Sequence, residues 1–164
     1  MTTAPLNQDM EQQVRPQRRT GGKKAPSVYL WNPVTIALLS LLFTPVFGSV
    51  MHMLNWRTLE QAELARQSLW WALAGAVILL GNHIFSALLP EAMVVDTYTV
   101  SLLVLYVGSW FILPARSQVR YVREQFAKGY GHKSWKLVLP LALAGCLGYV
   151  LLGFLLAYLA DLIR

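Results

Sequence analysis

The sequence predicts an all-α membrane protein, a small bundle of three to four transmembrane helices, and three observations carry that expectation. Four apolar runs, at about residues 32–56, 68–89, 94–113 and 135–160, each come near the roughly 20 residues that cover a hydrocarbon core of about 30 Å. Of the 164 residues, 55% are apolar and 13% charged, whereas soluble domains carry about 25% charge. Trp31, Trp56, Trp70, Trp71, Trp110 and Trp135 all stand at or near run ends, where an amphipathic indole prefers the headgroup layer.

The net charge of +6 does not suggest nucleic acid, because the basic residues flank apolar runs and no groove-reading module or stacking-aromatic pattern accompanies them. No nucleic-acid partner is expected. Cys146 is the single cysteine and lies inside an apolar run, so neither an intramolecular disulfide nor a cysteine-based zinc site is available.

Taken in order, residues 1–27 are polar and carry Pro5, Pro16, Pro26 and Gly21-Gly22. They have no apolar periodicity to offset the entropy of ordering them, and read as a disordered, basic, cytoplasmic tail. Residues 28–164 form the helical membrane domain. The first run, from Trp31 to Trp56, has no formal charge and is interrupted at Thr44-Pro45 and Gly48. It is long enough to span, yet Pro45 removes a helical hydrogen bond and clashes with the preceding turn, so a re-entrant hairpin is equally reasonable. Ser40, Thr44 and Ser49 are available to satisfy backbone groups at such a bend.

Residues 57–67 hold Glu60, Glu63 and Arg66 at helical spacing without a turn breaker, which suggests an interfacial helix. The second run ends at Pro90 and the third at Pro114; between them, PEAMVVDT carries Glu91 and Asp96 and no basic residue. Residues 115–134 place Val119, Val122 and Phe126 on one helical face and Arg116, Arg120, Arg123 and Lys128 largely opposite, the pattern of a basic amphipathic helix on the cytoplasmic membrane surface. These four basic residues are the expected contacts to anionic lipids. The fourth run carries Pro140 in its first turns.

Charge placement bears on topology. Four crossings put either the basic tail or the basic 116–136 stretch outside, against the bias that keeps Lys and Arg in the cytoplasm. A hairpin bent at Thr44-Pro45, with the other three runs crossing, leaves both in the cytoplasm and the acidic turn outside. On this reading Pro45→Leu would straighten the run and disturb topology.

Residues able to carry chemistry are few. No Asp, Glu, Lys or Arg falls in the interior of any run, Asp96 and Lys136 standing at run ends, which lowers the transport reading, since intramembrane ionisable groups mark transport pathways. Asn82 and His83 are the intramembrane polar pair in the second run, and His52 lies near the end of the first. No catalytic set, metal site or cofactor motif is recognised, and no enzyme is expected. Small-x-x-x-small pairs, Ala144 with Gly148 and Gly153 with Ala157, offer faces for close helix packing, as do Ala72 and Ala76. The expected role is a multi-pass inner-membrane protein that works through helix contacts with another membrane protein, a membrane-inserting toxin or its own copy. It would be an accessory subunit or an immunity protein, similar in kind to immunity proteins of pore-forming toxins in its few helices and short loops. The alternatives are a small permease or channel using the broken first segment with Asn82 and His83, and an interfacial enzyme built on His52 and His132.

Overall fold

Proline and threonine together break the first apolar run. In the computed structural model, which describes residues 28–88, 93–127 and 129–163, this run is two helices, α1 (Pro33–Phe43) and α2 (Pro45–Thr58), joined at Thr44. Asn32 starts α1, its Oδ1 accepting from the backbone amides of Val34 at 2.9 Å and Thr35 at 3.4 Å, with Pro33 in the first turn where no amide is needed. Pro45 stands at the same kind of position in α2. Thr44 links them at φ 88°, ψ 153°, a region that only glycine enters at low cost. Its side chain caps nothing.

The two helices lie side by side and return the chain to where it began. Trp31 N donates to Asn55 Oδ1 at 3.1 Å, and Asn55 Nδ2 donates to the Trp31 carbonyl at 2.8 Å. A helix of 14 residues is about 21 Å long at 1.5 Å per residue, less than a hydrocarbon core. The run is thus a hairpin of two short helices rather than one continuous helix.

Residues 57–67 are not one helix. After α2 the chain turns at Leu59-Glu60, where Glu60 takes φ 58° and Gln61 N bonds the Trp56 carbonyl at 2.9 Å. It then enters α3 (Ala62–Leu88). Ala65, Ser68, Ala72 and Gly75 form the buried face of the first half of α3. Their small side chains let α2 lie close against it; a Cβ on Gly75 would collide with Val46 and the Tyr106 hydroxyl.

Pro114 does not end the third apolar helix. Helix α4 (Met93–Trp110) continues through a π-helical turn, Phe111–Ala115, into α5 (Arg116–Gln125). Widening the turn accommodates a proline ring that would otherwise meet the carbonyl four residues back. The basic segment is therefore the extension of a long rod rather than a separate surface helix, and it stops at Phe126 instead of near residue 134. Gly129, at φ 100°, turns the chain into β2 (Gly131–His132), which pairs in parallel with β1 (Tyr29–Leu30), Tyr29 opposite Gly131 and Leu30 opposite His132. Helix α6 (Val138–Ile163) tolerates Pro140 because the proline lies in its first turn.

Among the described residues, three helices are long and apolar enough to cross a membrane: Ala62–Leu88, Thr97–Gln125 and Val138–Ile163. The buried side chains concentrate at one end, here termed the base, where Leu30, Ile36, Met51, Trp56, Trp110 and Val122 surround the hairpin. Helix α6 contributes no buried residue. Residues 1–27, Glu91, Lys128 and the side chain of Asp96 lie outside the described residues.

Candidate functional site at the base of the hairpin

Polar side chains of α1, α2, the π-helical turn's flank and α5 meet inside the base. Ser40, Ser49, His52, Asn55 and Gln118 are all buried, and an apolar interior requires each to find partners. Asn55 ties α2 to Trp31 as described. Gln118 is the centre: its Nε2 donates to the His52 carbonyl at 2.9 Å, and its Oε1 accepts from Asn55 Nδ2 at 3.2 Å and from His52 Nδ1. That assignment makes His52 the Nδ1–H tautomer. Its Nε2 is buried without a hydrogen-bond partner, packed beside the Trp110 ring, whose centroid is 5.4 Å away. Trp110 Nε1 donates to Ser49 Oγ at 2.6 Å, and Ser40 Oγ returns to the Ile36 carbonyl at 2.7 Å. Gly48 makes the arrangement possible, since a Cβ there would collide with Ser40 Oγ and the Trp110 ring.

A second layer closes the base from outside. Trp31 Nε1 donates to the Ser134 carbonyl at 3.1 Å, and Lys133 Nζ bonds Thr58 Oγ1 at 2.8 Å while lying 4.5 Å from the centre of the Trp31 ring, a cation–π contact. Partial burial lowers the pKa of Lys133 from its ordinary value and raises that of Tyr130. Trp56 and Tyr121 meet edge to face at 5.0 Å. Chemically, the assembly is a clasp: it supplies partners for the backbone where α1 and α2 begin and end, and it couples the hairpin to α5.

The residues singled out from sequence fall in several places. Thr44 and Pro45 form the hairpin tip and Gly48 its tightest contact, as described. His83 lies between α3 and α6, donating from Nε2 to the Tyr149 carbonyl at 3.1 Å with the two rings 4.1 Å apart; Gly153 gives its ring room. Asn82 lines a separate apolar cleft between α3 and α4 with Val77, Phe85 and Leu102, about 410 Å³ in volume. Ala144 and Gly148 are exposed, and a Cβ on Gly148 meets nothing within 4 Å. Ala157 is exposed beside His83. The less exposed side of α6 is instead Ala142, Cys146, Tyr149, Gly153, Leu156 and Ala160, recurring every three or four residues. Arg116, Arg120 and Arg123 are exposed on α5. His132 is exposed in β2 while His52 is fully buried, so these two do not share a site.

Gln118 and Asn55 escaped the sequence reading. The signal for Gln118 was present: it falls between Arg116 and Arg120 but on the Val122 side of the helix, an uncharged residue on an otherwise apolar stripe. Among the described residues no group of three or more His, Cys, Asp or Glu is placed to hold a metal ion. In comparisons with known proteins, the chain matches no family model, no curated protein and no solved structure.

Proposed function

We propose that this chain is a small multi-pass inner-membrane protein that works by presenting apolar helix faces to a membrane partner. Helix α6 carries the reading: 26 residues long, it touches the rest of the molecule along one side only and exposes Leu143, Leu147, Val150, Leu151, Phe154 and Tyr158 on the others. In water such a surface would be far larger than a monomer exposes; in a bilayer it is available to lipid and to other helices. The clasp supports the same reading, because it builds a rigid support from which that surface is displayed. The partner is a membrane-inserting toxin, a larger complex in which this chain is an accessory subunit, or a second copy. In this topology the base, with the tail and the basic residues of α5, faces the cytoplasm, as the placement of Arg57, Arg116, Arg120, Arg123, Lys133 and Lys136 at one end favours.

The test is photo-crosslinking in cells from residues substituted along α6. A partner contact yields discrete adducts from one exposed face, for example Leu147, Val150 and Phe154, and none from the opposite face. Adducts to lipid alone from every position would refute it. The permease alternative draws on Asn82 facing the cleft between α3 and α4; it requires solute flux in proteoliposomes that Asn82→Ala abolishes.

A further inference from the structure

The basic end carries a cleft that the clasp does not use. Asn32 and Val34 at the start of α1 form one side and Val119, Arg123 and Phe126 of α5 the other, with Tyr130 closing the end, around about 290 Å³. Its lining is divided. Arg123, Asn32 and Tyr130 offer a guanidinium, an amide and a phenol, while Val34, Val119 and Phe126 are apolar. The amide is committed on one side only, because Asn32 Oδ1 accepts from the first amides of α1, leaving Nδ2 as a donor. Arg123 is exposed and has no ion-pair partner among the described residues, whereas Arg120 reaches Glu124 at 3.9 Å. Among the described residues, no acidic side chain lines the cleft.

From Val34 an exposed apolar stripe, Val34, Leu38, Leu41 and Leu42, runs along α1 toward the hairpin tip, about 12 Å at 1.5 Å per residue. A polar, positively charged pocket that opens onto such a stripe matches an amphiphile with an anionic head. Trp31, next to Asn32 in the chain, is an aromatic of the kind expected at headgroup depth. A soluble phosphate would use the head of the cleft and leave the stripe without a role.

We propose that this cleft holds one anionic phospholipid, its phosphate on the Arg123 guanidinium with Asn32 Nδ2 and the Tyr130 hydroxyl as further donors, and one acyl chain along Val34, Leu38, Leu41 and Leu42. The inference rests on the membrane reading above. It differs from general attraction to a basic surface in requiring one arginine rather than a sum of charges, and in joining α1 to α5 through the lipid.

The experiment is native mass spectrometry of the full chain released from detergent micelles, titrated with phosphatidylglycerol or phosphatidylcholine. One phosphatidylglycerol is expected to bind in preference to phosphatidylcholine. Arg123→Gln should weaken it about fivefold, the factor that follows from the roughly 1 kcal/mol of one basic residue at an anionic headgroup. Arg120→Gln, outside the cleft, should leave it unchanged, and Leu38→Ser should weaken phosphatidylglycerol but not soluble glycerol phosphate. Equal loss from Arg120→Gln and Arg123→Gln would mean diffuse surface charge and overturn the site. So would equal affinity for the two lipids, or glycerol phosphate competing as well as the intact lipid. Unchanged circular dichroism on heating shows that Arg123→Gln still folds. Whether the chain sediments with membranes from expressing cells is read separately, so failure of the membrane reading is distinguishable from failure of the cleft.

Discussion

Two glycines show how much a single hydrogen atom decides here. At Gly48 a methyl group would have to displace Ser40 and the Trp110 indole, so Gly48→Ala is expected to cost about 1–3 kcal/mol through overpacking. At Gly148 the space is open, and Gly148→Ala is expected to be neutral or to gain up to about 1 kcal/mol from helix propensity. Unfolding midpoints of the two variants in the same detergent check the contrast; equal midpoints would contradict the packing described. Gln118 joins three polar groups of α2 to α5. Gln118→Leu removes the acceptor of both Asn55 Nδ2 and His52 Nδ1 and the donor to the His52 carbonyl. A cost of about 1–3 kcal/mol is expected, and a double-mutant cycle with His52→Phe should reveal coupling between the two positions.

Among the elements, the hairpin rests on three separate supports. Pro45 lacks an amide, but a residue at the first position of a helix has no helical partner for it anyway, so proline alone does not hold the bend. Thr44 holds the dihedral, and the pair of bonds between Trp31 and Asn55 holds the base. Pro45→Leu is therefore expected to leave residues 57–61 on the same side of the membrane, and the combination with Asn55→Leu to release them, as a reporter fused after Gln61 would register. Thr44→Gly should raise stability by on the order of 1 kcal/mol, since glycine enters φ 88° without the penalty threonine bears; a lower midpoint would show that the threonine side chain supplies something not accounted for. The break in this element was legible in the sequence, because proline and run length are local properties. What was not legible is long-range: Asn55 and Gln118 are 63 residues apart, and no periodicity tells which buried amides will meet. The same limit applies to α6, where spacing marked Ala144 and Gly148 but only the neighbouring helix determines that Cys146, Tyr149 and Gly153 face inward.

For the molecule as a whole, the asymmetry between its ends matters most. At the base, two strands, a hairpin and the end of a long helix interlock through Trp31, Lys133 and Thr58. Beyond the hairpin tip, α3 meets α6 through isolated bonds, among them Tyr149 Oη to the Leu79 carbonyl at 3.3 Å and His83 Nε2 to the Tyr149 carbonyl at 3.1 Å. Local opening follows the density of packing. Hydrogen exchange in detergent is therefore expected to be slowest in α2 and the first half of α3 and fastest in the second half of α6; uniform protection would refute the asymmetry.

The π-helical turn sets the phase of everything after it. One residue more than a regular turn lies between Trp110, which faces Ser49, and Gln118, which faces His52. Wound as an ordinary helix, the same residues would rotate α5 by about 100°, the angle of one residue in a 3.6-residue turn, whereas deleting Ile112 is expected to close the wide turn and leave Gln118 facing His52. In the ordinary winding Ser117 would stand in the place of the amide, and the clasp would lose the side chain that joins His52 to Asn55. The turn is thus a register mark, by which a helix otherwise free to rotate delivers the Gln118 amide to the hairpin.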